Sequence, residues 1–322
     1  MRNMLKMNLL KMKPPHHQAR GMRAVVFGSL VLLGALCPSL AAEPPSETET
    51  LLETGAAKKP RAAQPAPASL KIVSYNIRWR GGEDLRRLTA LLKDDREIGG
   101  ASIIGLQEVD RNKKRTGNIN TARLMAEELG MYYAWAAPPP AAGSKENPQE
   151  EETGVAILSL YPLTDVTRIV LPYEGPGGRR RVALGATARV GAANVRIYSV
   201  HGETRIGVRQ KLEQFRAVLN DLAQHQKAER AVVLGDFNTW ERSAVPDTTR
   251  LFIEAGFSTP FPDNLTTWKT FFVELKLDWL WLRGLSATAY GVDKKVGFSD
   301  HWPLWVTVTT GESDRAKGER KQ

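Results

Sequence analysis

Val232–Asn238 reads VVLGDFN, a run of branched apolar residues broken by a glycine and closed by an acid and an amide. A run of this kind is a buried strand ended by a turn, with its polar residues where the chain leaves the core. The pattern recurs along the chain. Leu70–Asn76 (LKIVSYN) stops at Asn76, Ser102–Glu108 (SIIGLQE) at Glu108, and Val195–His201 (VRIYSVH) at His201. Asp278 opens DWLWL, and Asp300 and His301 stand directly before PLWVTV. Val155–Leu160, Val182–Val190 and Leu304–Thr309 complete the expected strands. Leu85, Leu88, Leu91 and Leu92 mark one helical face, and Leu212, Phe215, Leu219 and Leu222 another. A further helix over Thr121–Leu129 should stop at Gly130. Many strands and few helices predict an α/β fold of two packed, mainly antiparallel sheets covered outside by helices.

The rest of the chain frames this domain. Among 322 residues, 42% are hydrophobic and 25% charged, which excludes a disordered, collagenous or multi-pass membrane chain. The formal charge of +10 is inflated by six basic residues ahead of residue 42, which no acid balances; without them it is +4. So small a surplus gives little support to a polyanion partner. Cys37, the single cysteine, lies in that early stretch, so the body has neither a disulfide nor a thiolate metal site. Ala24–Ala42 runs 19 residues without a charge after a basic start, and residues 1–42 are expected to be a signal peptide cleaved near Ala41 or a signal anchor. The product would be secreted or periplasmic, or held on the outer face of the cytoplasmic membrane. Residues 43–69 read as a Pro/Ala-rich flexible linker, 70–310 as one domain and 311–322 as a polar tail. Pro138–Glu152 reads as a polar surface insertion and Phe271-Phe272 as core. The chain is expected to be a monomer.

Four carboxylates, two amides and two of the five histidines fall on strand margins, while His16, His17 and His225 do not. If the strands share a sheet, these groups meet at one of its edges, where α/β clefts form. An oxygen-rich set without thiolate suits Mg²⁺ or Mn²⁺. No HExxH-type pair points to zinc. Two imidazoles beside such an ion supply proton handling and positive charge, and Asp278 could fix the tautomer of one. Together they describe phosphoester hydrolysis with in-line attack by water.

SYNIRW, GLQEVD, SVHGET, GDFNTW, LDWLWL and GFSDHWPL, in this order, resemble the endonuclease/exonuclease/phosphatase superfamily of metal-dependent phosphoesterases. The resemblance implies a four-layer α/β/β/α sandwich. It implies Glu108 as principal metal ligand, with Asn76 beside it on the metal or a phosphate oxygen, and Asp300 as a further ligand. Asp236 would orient or deprotonate the attacking water and Asn238 steady it. His301, oriented by Asp278, would contact the scissile phosphate or serve as the base instead, and His201 would be the second phosphate-contacting histidine or acid. The sequence departs from the family pattern at Val155, often Asn, and at Gly202-Glu203-Thr204 after His201. Arg179, Arg180 and Arg181 read either as a solvated charge run or as a clamp for a second phosphate or a polyanion, with Arg181 the candidate contact to substrate phosphate.

The expected partner is a small phosphorylated molecule or a lipid headgroup, as monoester or diester. An extracellular nuclease is the alternative, motivated by the arginine run and by Lys113-Lys114-Arg115 near Glu108. A non-catalytic binding protein that keeps the fold is a third reading. Membrane contact is expected only through an uncleaved N-terminal segment.

Overall fold

The computed structural model describes residues 51–62, 67–141 and 152–309; the 1–42 segment and the 311–322 tail lie outside them. In chain order the elements begin with β1 (Leu52–Ala56), β2 (Ser69–Asn76), α1 (Gly82–Asp94), β3 (Ile103–Arg111), α2 (Thr121–Leu129) and β4 (Tyr132–Ala136). They continue through β5 (Glu152–Ser159), β6 (Leu163–Val170), β7 (Val182–Val190), β8 (Ala193–His201), α3 (Val208–Gln224) and β9 (Arg230–Asp236). The last are α4 (Ala244–Glu254), β10 (Trp268–Thr270), β11 (Val273–Leu275), β12 (Asp278–Arg283), β13 (Ser286–Val292) and β14 (Leu304–Thr309).

One sheet runs β1-β4-β5-β3-β2-β14-β13 and the other β12-β9-β8-β7-β6. Each holds one parallel pair, β2–β3 and β8–β9, in an otherwise antiparallel arrangement. Parallel neighbours need a long crossover, and here α1 and α3 lie in the two crossovers. The crossovers bring strand ends of the same sense to one edge. His201 therefore lies opposite Asp236, and Asn76 opposite Gln107, one residue before Glu108. β12 enters antiparallel to β9 with Asp278 opposite Asp236. β14 enters antiparallel to β2, which delivers Asp300-His301 to the same end. The polar margins converge from two sheets, not along the single edge that the sequence suggested.

Alternation along each strand separates three apolar layers. Ile72, Ile103, Ile157, Leu234, Leu280 and Val306 fill the space between the sheets. Val73, Ile104 and Leu106 face outward under Leu85, Leu88 and Leu92 of α1 and Met125 of α2. On the other side Val233, Trp279 and Trp281 pack under Phe215 and Val218 of α3 and Phe252 of α4. Trp281 stacks on both Trp279 and Phe252 at centroid distances of 5.2 and 4.9 Å. The result is the expected helix–sheet–sheet–helix order. The sheets approach so closely at Gly105 that a Cβ there would overlap Leu234 Cδ1. Asn120 caps the start of α2 by accepting from the Arg123 amide, and Gly130 ends it in the left-handed conformation, as expected.

Several expectations need correction. Within the stretch read as linker, Leu52–Ala56 forms β1 on the edge of the larger sheet, paired with β4. Leu51 is fully buried, and Glu53 accepts a hydrogen bond from Tyr133 Oη at 2.7 Å and pairs with Arg111. Two leucines and one carboxylate suffice to dock a segment whose composition otherwise reads as tether. Glu152, placed in the polar insertion, is instead the buried first residue of β5, gripped by Arg111 through Nε and Nη2 at 3.1 and 3.0 Å; residues 142–151 lie outside the described ones. Phe271 and Phe272 are not core. They form the turn between β10 and β11 and are 89% and 100% exposed. On α3 the buried face is Lys211, Gln214, Phe215, Val218 and Leu222, with Leu212 and Leu219 only partly covered. Among the described residues no helix is long and apolar enough to cross a membrane.

Candidate active site

Asp236, the last residue of β9, lies at the middle of the converged groups. Its Oδ1 accepts from the Asn238 amide at 3.0 Å, and its Oδ2 from Asn76 Nδ2 at 3.0 Å. The same Oδ2 stands 3.7 Å from Nε2 of both His201 and His301. Burial pushes its carboxyl up to about 7, against the lowering pull of His301 and the hydrogen bonds from Asn238 and Asn76.

Asn76 links this centre to Glu108, whose Oε1 accepts from the same Nδ2 at 3.3 Å. Asn76 Oδ1 accepts from the Arg78 amide. Glu108 has a positive φ of 56° and sits where the β3–β5 register slips between Gln107 and Val109. A bulge of this kind re-aims one side chain out of the ladder. It explains why Gln107 faces inward to Ser199 while Glu108 reaches the cleft.

His301 and Asp278 form a tight pair, Nδ1 to Oδ2 at 2.8 Å. A carboxylate only accepts, so Nδ1 carries the proton and Nε2 faces Asp236. Burial disfavours the imidazolium, yet the charges of Asp278 and Asp236 and the Asp278 bond outweigh it and push His301 up to about 10. Asp278 is itself buried, and its Oδ1 has no hydrogen-bond partner among the described residues. His201 is the opposite case. Burial, followed by the positive charge of Arg181, holds it well below the ordinary range and therefore neutral. Arg181 Nη1 donates to its Nδ1 at 3.4 Å, so the ring proton is on Nε2, directed toward Asp236. Two imidazoles thus offer Nε2–H donors to one point, one charged and one neutral.

Asn238 has φ 53°, and its Nδ2 donates to the Gly202 carbonyl at 3.1 Å. Asp300 stands apart from this network, ion-paired with Arg78 Nη1 at 3.4 Å on the rim. Of the eight residues singled out for catalysis or metal, seven are joined through Asp236, Asn76 and their hydrogen-bonded partners, and Asp300 borders them. Arg181 is partly buried beside His201.

Sequence reasoning missed Lys211. Its Nζ donates to the Asn238 carbonyl and to Glu241 Oε2, both at 2.6 Å, from inside the protein. The 211-215-218-222 spacing is a regular helical face, and a lysine on such a face needs a buried acceptor. Glu203 was noticed only as a departure from a motif, yet it is fully buried and holds two arginines.

The donor set fits a hard divalent cation. Asp236, Asp278 and His301 place ligand atoms within 4.8 Å of one another. His301 and Asp278 are already committed to each other, and Asp236 is a buried acid kept from full ionisation by its surroundings. Adding Glu108 makes three carboxylates in the network against one imidazolium and the Arg181 guanidinium, itself shared with Glu203. That imbalance favours a further positive charge beside Glu108, Asn76 and Asp236.

A two-sheet sandwich with acids, amides and imidazoles at one end defines a phosphoesterase and nuclease architecture, in which divalent-metal dependence is general. The profile of the Endonuclease/Exonuclease/phosphatase family matches residues 73–301, and the chain belongs to that family. Its fold is similar to an endonuclease/exonuclease/phosphatase from Beutenbergia cavernae DSM 12333, at 18% identity and TM-score 0.58 over 76% of this chain and 72% of that one. It is also similar to a family protein from Leptotrichia buccalis C-1013-b, at 18% identity and TM-score 0.57 over 74% and 99%. A third likeness is to the human Nocturnin catalytic domain with bound sulfate anion, at 17% identity and TM-score 0.54 over 76% and 96%. No curated protein matches the chain in sequence.

Proposed function

We propose that this protein is a divalent-metal-dependent phosphoester hydrolase acting on a small phosphorylated molecule or a lipid headgroup. The observation that carries this reading is the position of Asp236 Oδ2, 3.7 Å from two imidazole Nε2 atoms and anchored by Asn76. A phosphoryl group entering there would take hydrogen bonds from both rings, and a water on its far side would lie within reach of a carboxylate that has a raised proton affinity. Asp236 removes a proton from the water as its oxygen bonds to phosphorus, and the ester oxygen leaves in line. His301, kept charged by Asp278, and His201, kept neutral beside Arg181, hold the phosphoryl oxygens as negative charge builds on them. Asn238 steadies the water through a side chain fixed to the Gly202 carbonyl. Glu108 and Asn76, with Asp236, would hold Mg²⁺ or Mn²⁺, and Asp300 would act from the rim. The cation supplies charge stabilisation on the phosphoryl and leaving oxygens.

Asp236→Asn and His301→Ala should each lower turnover of bis-p-nitrophenyl phosphate by about a thousandfold, and EDTA should abolish it. Wild-type protein no faster than either variant would sink the hydrolase reading and favour a binding protein.

The headgroup option draws on the β10–β11 hairpin. Its exposed Phe271-Phe272 tip projects from strands whose first residue, Trp268, bridges to His301, so an apolar probe adjoins the reacting centre. The nuclease reading has less support. Arg115 of the basic Lys113-Lys114-Arg115 cluster is spent on buried Asp110, at 2.7 and 2.9 Å. Action outside the cytoplasm is also proposed, on the charge-free run at 24–42.

A further inference from the structure

Arg181 belongs to a second arrangement besides its contact with His201. Glu203, two residues beyond that histidine, is fully buried. Its Oε1 accepts from Arg179 Nη2 at 3.0 Å and from the Arg205 amide at 3.1 Å. Its Oε2 accepts from Arg181 Nε at 3.1 Å and Arg179 Nε at 3.3 Å, and its own amide donates to Gln214 on α3. Burial alone would raise this carboxyl, but the bond from Arg179 and the charge of Arg181 hold it below the ordinary range. The loop ahead of the arginines closes on it: a Cβ at Gly175 would stand 2.5–2.8 Å from the Glu203 carboxyl group. One buried acid therefore fixes two guanidiniums. Among the described residues Arg179 Nη1 and Arg181 Nη2 carry no hydrogen bond.

These arginines face the reacting centre. Arg179, Arg180 and Arg181 line one cleft of about 370 Å³ together with Glu108 and His201. Among the described residues Arg180 is paired only with the half-exposed Glu174 on the surface, a contact easily exchanged. Arg115 closes the far wall, stacked 4.4 Å from the Trp79 ring. Three guanidiniums besides Arg115, which is committed to Asp110, and a single carboxylate, Glu108, border the space.

We propose that this cleft is a second anion subsite, and that the ligand carries two phosphate groups, one at the His201–His301 centre and the other held by Arg179 and Arg180 with Arg181 between them. The proposal rests on the phosphoester reading above and deepens it. Guanidiniums preset by a buried acid bind phosphate through paired N–H groups without a fresh ordering cost. The basic groups are gathered in one walled recess, whereas a nucleic-acid strand needs them spread along an open track.

Calorimetric titration of the full chain in Mg²⁺ with propane-1,3-diyl bisphosphate and with propyl phosphate gives an affinity ratio internal to each protein. Wild type should favour the bisphosphate by about thirtyfold, which at tenfold per 1.4 kcal/mol is about 2 kcal/mol. The ratio should fall to within about threefold in Arg179→Gln/Arg180→Gln, whose side chains are about half exposed, and in Glu203→Gln. A wild-type ratio near one, or one unchanged in the double variant, overturns the subsite. Phosphatidylcholine vesicles containing a lipid with a bisphosphorylated headgroup form a second arm: tighter binding to them than to the soluble bisphosphate names a lipid as the source, and weaker binding a free metabolite. A short oligothymidylate binding more tightly than either ligand overturns the bisphosphate assignment. Bisphosphate preference without hydrolysis removes only the catalytic reading; hydrolysis without preference removes only the subsite.

Discussion

At His301 the ring is held between two acids, Asp278 on Nδ1 and Asp236 facing Nε2, and both favour its charged form. A histidine with its proton affinity raised to about 10 stays an imidazolium through neutral pH and loses that charge only as pH rises through that value. Asp278→Asn removes the largest raising influence and leaves burial, which acts the other way. The alkaline limb of kcat/KM should therefore move to lower pH by at least about one unit, and an unmoved limb would assign it to another group. Lys211 illustrates a different dependence. It touches neither water nor phosphate, but its ammonium holds the Asn238 carbonyl and so the left-handed turn that aims Asn238. Lys211→Met should lower kcat by about tenfold or more while KM changes little, and Lys211→Arg should restore part of the loss. Equal effects on both constants would reduce Lys211 to a residue of general stability.

Among the elements, most strands with uninterrupted apolar runs were legible in the sequence, β4 (YYAWA) being the exception, and weakly patterned ones were not. β2, β3, β8, β9 and β12 are buried on both faces; four of them carry the polar group at an end, and β3 carries Glu108 at an internal bulge three residues before its end at Arg111. β6 and β13 are half-covered or edge strands, with sequences (LTDVTRIV, SATAYGV) that resemble ordinary polar chain. Their pairing is decided by neighbours far away in the sequence. The site was legible because the crossovers bring strand ends to one side; Lys211, Glu203 and Gln214 were not, because their partners lie on other elements. The β10–β11 hairpin misled for a simple reason: two phenylalanines suggest burial, and nothing local says that their strands stand clear of the core. Phe271→Ser/Phe272→Ser should abolish co-sedimentation with phosphatidylcholine vesicles and lower hydrolysis of vesicle-borne substrate at least about tenfold relative to a soluble ester. Equal loss on both substrates would remove the hairpin from any role at a lipid surface.

For the molecule as a whole, the fold begins earlier than its composition announces. β1 completes the larger sheet and covers Tyr133 and Trp135 neighbours through Leu51, Leu52 and Glu53. The chain without residues 1–50 is the reference. Removing residues 1–62 should cost about 2–4 kcal/mol in denaturant unfolding, the worth of a buried leucine, a partly buried one and a paired carboxylate. No added loss in the longer truncation would return residues 51–62 to the tether.

The two halves of the reaction centre are mounted on separate sheets, Asn76, Glu108 and His301 on one and His201, Asp236 and Asp278 on the other. The thickness of the apolar layer between them is accordingly a caliper for the gap that a phosphoryl group must fill. Gly105 packs directly against Leu234, two residues before Asp236, with no room for a Cβ. One methyl group added there, wholly out of sight of any substrate, would wedge the jaws apart and be felt as lost chemistry.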